Sequence, residues 1–488
     1  MQNILQGLIA FGERRRRALQ MLLTLLTAAA LAVISVSTGP LANLYYIETW
    51  EARRLLIVLV YALLPLGMGY VIFVRGAKGL DFLFLYGALT AALLLRTTTL
   101  SQIVPDYAPM RAFVEALSQD GLAAAPQGVG RYGLIGTYLF ALIARVPIRE
   151  LYLFKYVAIA CDFALAFALC ALVERFVDRR RGTFAMLAVL YNPLTWLTSA
   201  YWGRWDALCA LLVVLSLLAL LQKRRTLCAV LFALAYAASP EALFLLPLLL
   251  LWPHHGLKAS HLGAALLTLL AAALPMAFLS SPAAALEGVG PARLFADSAA
   301  QLQNCAPTLY QFVPASNLRY REQYGFLQFV QGIEPAESSK WYTQEAIDRI
   351  FQAGVYAAVV VLLGAAAACR RLRRAVSKDQ LWQVALMASV FVPMILPGMN
   401  PRSFYLASSF SLLYALRYEK RIRVAVLVMG AAFLSYVPSL TGQYVVPLTL
   451  AMGMNVLSLF QVGRDFAAQV APRARELPEL RPAARDRI

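Results

Sequence analysis

Apolar runs alternating with short charged connections set the pattern of this chain. Runs long enough, or nearly so, for a helix to cross hydrocarbon, about 20 residues, fall at 18–37, 54–74, 80–97, 151–175, 183–198, 204–221, 261–280, 349–368, 380–397, 404–418, 423–440 and 444–461. Two shorter runs, 227–238 and 241–253, predict a bent hairpin around Ser239-Pro240. The pattern therefore predicts an all-α polytopic membrane protein with about fourteen transmembrane helices. The run at 133–147 also reads as apolar helix, but counting it as a crossing would invert every later loop. It is predicted instead, with 109–119, to lie along the membrane surface.

These elements divide the chain into N-terminal spans (1–97), an external loop with two interfacial helices (98–150), central spans (151–280), a second external loop (281–348), C-terminal spans (349–462) and a cytoplasmic tail (463–488). The tail, rich in Arg, Pro and Ala, has little to bury and is predicted to be disordered. The first run follows the cluster Arg14–Arg17 without a clear small-residue cleavage site, so it is read as a retained span.

Composition agrees with this solvent. At 60% hydrophobic and 14% charged residues, with mean hydropathy +0.64, the 488-residue chain carries more apolar surface than one soluble core could bury. The net charge of +18 is a topology signal: with the N-terminus inside, Arg14–Arg17, Arg179–Arg181, Lys223–Arg225, Arg370–Arg374 and Arg417–Arg423 are all cytoplasmic. By this topology about two-thirds of Lys and Arg are cytoplasmic; nucleic acid is not an expected partner. Five of the six cysteines lie in or beside spans, leaving Cys305 alone outside, so no external disulfide framework is expected. There is no Asn-x-Ser/Thr sequon, which fits a bacterial plasma membrane with both termini cytoplasmic.

The unusual polar residues collect on the external side. They are Asp106 in "VPDYAPM", Arg131-Tyr132, Arg204 and Asp206 in "WGRWD", Glu241 in "SPEALFLLP", Asn304 to Gln311 in "NCAPTLYQ", and Arg402 in "MNPRSFY". Six polar points from six connections on one face suggest a site assembled between helices. Each has a plainer reading: Asp106 as the N-cap of the helix that follows, the tryptophans and arginines as interfacial anchors. Lys155 and Asp162 lie inside one predicted span, seven residues apart on one face, and are read either as structural partners of other helices or as functional intramembrane charges. His254, His255 and His261 form the one histidine cluster, on the cytoplasmic side. No metal site is assigned.

In order and side, these motifs resemble the GT-C glycosyltransferases, particularly bacterial mannosyltransferase-like enzymes that use polyprenyl-phosphate sugars. An Asp before an amphipathic helix matches Asp106 and "YAPMRAFVEALSQDG"; a Tyr-rich interfacial helix matches "RYGLIGTYLFALIARV"; a Trp-Gly-Gln-x-Asp motif matches "WGRWD". A Lys-Pro motif matches "SPEALFLLP", an Asn-Ala-Pro-x-Leu-Tyr-Gln stretch matches "NCAPTLYQF", and a Met-His-Glu-Arg-x-Phe motif matches "MNPRSFY". The resemblance covers roughly 98–440. It departs at Arg204, where Gln is usual, at Ser239 for Lys, and at Asn400-Pro401 for His-Glu.

The resemblance implies a hexosyltransferase, with mannose as a candidate sugar, acting on a polyprenyl-phosphate-sugar donor and an unidentified glycan, lipid or protein acceptor in the envelope. It implies Asp106 as catalytic base, Arg402 and Arg204 as ligands of the donor phosphate, and Asp206, Arg131, Tyr132, Glu241, Asn304, Tyr310 and Gln311 around the substrates. Partial desolvation at the interface is expected to raise the pKa of Asp106. No cofactor is predicted, although Mg²⁺ or Mn²⁺ could be held by ligands from distant loops. Two rival expectations stand: a transporter or flippase of lipid-linked sugars working through Lys155 and Asp162, and a GT-C relative that no longer catalyses.

Overall fold

The computed structural model describes residues 2–37, 50–250, 258–296, 302, 304–312, 344–372, 376–377, 380–418, 421–441 and 446–476. Among them the chain is helical, with no strand. Among the described residues seven helical stretches are long and apolar enough to cross a membrane, beginning at Arg15, Glu51, Gly79, Glu150, Ala259, Ile347 and Ile422. The chain forms two compact units, one of residues 1–124, 138–170 and 186–208, the other of 125–137, 171–185 and 209–488.

The first unit is built on α1 (Gln2–Ser37), α2 (Trp50–Gly69), α3 (Gly79–Thr97), α4 (Tyr107–Asp120), the later part of α5 (Val129–Ile143), most of α6 (Glu150–Phe176), the end of α7 (Arg179–Leu190) and the single turn α8 (Pro193–Trp196). Helix α3 shows why this packing is specific. Its buried residues Phe82, Leu85, Leu89, Ala92 and Leu93 form one stripe at helical spacing, and the stripe ends in Arg96. Helix α4 buries Tyr107, Met110, Phe113, Val114 and Leu117 on one face and exposes Arg111 and Glu115 on the other. It stops where Gly121 takes φ +62°, a conformation glycine adopts without a Cβ clash.

The apolar run 183–198, expected as one span, is broken. Asn192 turns extended and accepts a hydrogen bond from the Leu194 amide at 3.1 Å, capping a new turn that starts at Pro193. Proline has no N–H to continue α7, so α7 ends at Leu190. The chain then widens into a π turn, Leu197–Tyr201, which presents Ser199 inward.

That inward face meets the buried charges. Arg96 and Asp162 are both wholly buried and pair at 3.1 Å; the Arg96 Nη1 also donates to the Leu190 carbonyl at 2.9 Å, and Ser199 Oγ donates to Asp162 at 2.5 Å. One ion pair thereby ties α3, α6, the end of α7 and the π turn.

The second unit contains α9 (Asp206–Leu221), α10 (Arg225–Ala238), α11 (Leu246–Leu250), α12 (Ala259–Leu279), α13 (Pro282–Val289), α14 (Gln344–Leu372), α15 (Leu381–Ile395), α16 (Tyr405–Arg417), α17 (Ile422–Thr441) and α18 (Leu448–Glu476). The predicted hairpin bend is a break at Ser239, followed by a 3-10 turn Pro240–Leu245. Helices α15 and α16 have 15 and 13 residues, about 20 Å of helix each at 1.5 Å per residue. Most of their residues are buried, so they pack as core helices rather than presenting a full apolar length to lipid.

Helix runs past the expected bounds in two places. Helix α14 begins at Gln344, inside the segment read as the second long loop. The tail expected to be disordered from 463 continues as helix α18 to Glu476. Asp465 holds it: its carboxylate accepts from Tyr414 Oη at 2.7 Å and from Arg421 Nη2 at 2.6 Å, while Val462 and Val470 are buried. Residues 477–488 lie outside the described residues.

The buried pair yields a stability prediction. Asp162→Ala leaves the Arg96 charge buried without its counter-ion, and should cost about 3–5 kcal/mol. The double replacement Arg96→Met with Asp162→Leu should cost clearly less, because neither charge is then stranded. Thermal unfolding of the detergent-purified variants checks this ordering.

Candidate functional site

In the first unit the "WGRWD" segment is shaped by its glycine. Gly203 adopts φ +72°, and a Cβ there would sit 3.2 Å from Lys155 Cγ and 3.5 Å from Phe154 Cβ. Only a residue without a side chain lets the backbone turn this close to α6. Trp205 then fixes the turn: its indole N–H donates to the Phe154 carbonyl at 3.0 Å, and its ring lies 5.0 Å from Phe140. Phe140 in turn packs edge-on against Phe113 of α4. Between the two tryptophans the turn presents Arg204.

Arg204 Nη2 donates to the carboxylate of Asp106, joining residues 98 positions apart. Asp106 stands at the N-cap position of α4 but makes no capping hydrogen bond with its side chain. The carboxylate is used across the fold instead. Both side chains are about a quarter exposed, 22% for Asp106 and 26% for Arg204, so the pair is reachable from solvent. Asp206 lies in the first turn of α9, half-buried, where a negative charge suits the helix dipole.

Beside this pair runs a second polar group. Tyr107 Oη donates to Glu150, and Arg149 Nε donates to Tyr107 Oη at 3.3 Å. Burial pushes the Tyr107 phenol above its ordinary pKa, and the Glu150 contact adds to that. Lys155 and Asp162, one helical face apart by seven residues, do not share a partner: Asp162 takes Arg96 and Ser199, and Lys155 donates to the carbonyls of Thr99 at 2.7 Å and Gln102 at 2.6 Å.

In the second unit, Arg402 forms an ion pair with Glu241, Nε to Oε1 at 3.3 Å. Glu241 is buried by the 3-10 turn that Pro240 opens. A third charge, Arg293, is buried within electrostatic reach of both and donates to the carbonyls of Gly288 at 2.5 Å and Ala238 at 3.4 Å. Burial pushes its guanidinium pKa below the ordinary value, and Glu241 partly offsets this. Gly133 makes room for it, with φ +74° and a Cβ position that Arg293 Nη2 would overlap. Arg131 is exposed, its guanidinium 5.6 Å from the Tyr132 ring. Tyr310 donates to the Ile395 carbonyl at 3.2 Å, and burial raises its phenol pKa. Gln311 donates to the Ala306 carbonyl at 2.6 Å, while Asn304 is half-buried.

The structure thus brings together Asp106 with Arg204, and Glu241 with Arg402. Arg96, Ser199, Tyr107, Glu150 and Arg293 were not singled out from sequence. Arg96 carried a readable signal, since it falls in phase with the buried stripe of α3; Arg293 lies in an irregular stretch where no periodicity marks it. Among the described residues no group of three or more His, Cys, Asp or Glu is gathered as metal ligands would be. His254 and His255 lie outside the described residues. Against protein-family profiles no match is found, and no curated protein matches the chain.

The Asp106–Arg204 contact predicts an energetic coupling. In a double-mutant cycle of Asp106→Asn and Arg204→Met, followed by thermal unfolding, the single losses should exceed the double by about 0.5–2 kcal/mol, a range set by partial exposure to water.

Proposed function

We propose that this chain is a GT-C type membrane glycosyltransferase with about fourteen crossings, moving a sugar from a polyprenyl-phosphate donor to an envelope acceptor on the external face of a bacterial plasma membrane. The observation that carries the reading is the Asp106–Arg204 pair: a solvent-reachable carboxylate gripped by a guanidinium, in the loop before an amphipathic helix. Mannose is the sugar the motif resemblance favours.

In this reading the acceptor hydroxyl attacks the anomeric carbon from the side opposite the phosphate. The new bond forms between the acceptor oxygen and the anomeric carbon, the bond to the phosphate oxygen breaks, and the lipid phosphate leaves with the electron pair. Asp106 takes the acceptor proton, help worth about 10² to 10⁴ in rate. Arg204 acts in this reading as partner of the base rather than as phosphate ligand: its guanidinium aims the Asp106 carboxylate. A direct displacement with one base inverts the anomeric centre. Arg402, held by Glu241 in the second unit, remains the candidate ligand of the donor phosphate, since a guanidinium fork matches phosphate oxygens; its own variant tests that role separately.

The test is label transfer from a panel of polyprenyl-phosphate sugars in membranes containing equal amounts of wild type, Asp106→Asn, Arg204→Met or Arg402→Met. Transfer should fall about 10²- to 10⁴-fold in Asp106→Asn, and should be unaffected by chelator if no Mg²⁺ or Mn²⁺ takes part. Full transfer by Asp106→Asn would remove the proposed base. Loss of function confined to Asp162 or Lys155 substitutions would point to translocation of the lipid-linked sugar instead.

A further inference from the structure

Lys155 is wholly buried in α6, and its ammonium is spent on the backbone. It donates to the carbonyls of Thr99 and Gln102, at 2.7 and 2.6 Å. These carbonyls lie two and five residues past the end of α3 at Thr97, in backbone that has left the helix. Four residues beyond Gln102 comes Asp106. The stem of the same lysine faces the other half of the pair: Gly203, whose missing Cβ would meet Lys155 Cγ at 3.2 Å, immediately precedes Arg204.

One side chain therefore touches both strands of backbone that carry the Asp106–Arg204 contact, fixing one by charge-assisted hydrogen bonds and the other by packing. The backbone between them is otherwise lightly held. From Ser101 to Pro105 the chain has no regular structure except a turn, and its backbone bonds there are Gln102 N to Thr99 O at 3.2 Å and Tyr107 N to Val104 O at 3.0 Å. On the opposite side, Trp205 hangs from the carbonyl of Phe154, the residue before Lys155. Two consecutive residues of α6 thus hold the two segments in register.

We propose that Lys155 is a positioning residue for Asp106, acting through the Thr99–Gln102 segment to set where the carboxylate meets Arg204. The assignment of a catalytic role to what it positions rests on the glycosyltransferase reading; the positioning itself does not. Neither a transport path nor an interfacial anchor explains an ammonium committed to two carbonyls at full burial.

Lys155→Met keeps the stem and removes the donors. Hydrogen–deuterium exchange on the full-length protein in detergent should show amides of 98–106 exchanging about tenfold faster, with peptides of the second unit unchanged, because charge-assisted bonds close this segment. In the transfer assay the same variant should lower kcat about 10- to 100-fold with KM unchanged, as a small misplacement of a reacting group does. Added to Asp106→Asn, it should cause no further loss, since a residue acting through Asp106 has nothing left to position. Unchanged exchange at 98–106, or a full additive loss in the double variant, would overturn the proposal. Lys155→Gln serves if the methionine variant does not fold; failure of both to accumulate would also overturn it, by showing a role in the whole fold rather than one segment. If the wild type transfers no sugar, the exchange measurement still decides the positioning claim while the glycosyltransferase reading fails by itself.

Discussion

Two charges without water, Arg96 and Asp162, organise the first unit. Burying such ions costs several kcal/mol each before their attraction and hydrogen bonds offset it. The cost is met only when every partner is in place: the Asp162 carboxylate against the Arg96 guanidinium, Ser199 from the π turn, and the Leu190 carbonyl at the end of α7. A helix that rotated or slid by one residue would strand a charge. The pair therefore sets the register of α3 against α6, and the segments that leave those helices inherit that register. One is the Thr99–Gln102 stretch that leads to Asp106; the other is the π turn that leads to Gly203 and Arg204.

The polar chemistry follows from this geometry. Arg204 and Asp106 are distant in sequence, yet each is delivered by an element tied to the same buried core. In the proposed mechanism Arg204 aims the Asp106 carboxylate instead of binding the donor phosphate. In the second unit Glu241 does the converse for Arg402, with Arg293 buried nearby. There the carboxylate is the deeper partner and the arginine the more exposed one, an arrangement suited to presenting positive charge.

Much of this was legible in the amino-acid pattern, and the misses have physical causes. Asp106 ahead of an amphipathic helix and the bend at Ser239-Pro240 are local features, set by side-chain period and by residues that restrict backbone; "WGRWD" was read only as the mouth of a span, and its turn at Gly203 shows in the structure. The break at Asn192 was readable too, from an Asn-Pro pair inside an apolar run, but hydropathy alone smoothed over it. Arg96 was passed over because a charge at the end of an apolar run looks like an anchor until its phase on the helix is checked. Residues 463–476 looked like a solvated tail because their apolar positions are sparse; Asp465, bound to Tyr414 and Arg421, is a tertiary contact no window of sequence displays. Lys155 was read either as a structural partner of other helices or as a functional intramembrane charge; the partners it takes are backbone carbonyls, which carry no sequence signature.

The proposed mechanism has one carboxylate, Asp106, remove the acceptor proton in a single displacement at the anomeric carbon. The most direct test is the anomeric configuration of the product, read by NMR from the one-bond carbon–hydrogen coupling at the transferred sugar after reaction with a polyprenyl-phosphate donor of known configuration. The account predicts an inverted centre. A retained centre would contradict it, because a single displacement from the face opposite the phosphate must invert the anomeric carbon.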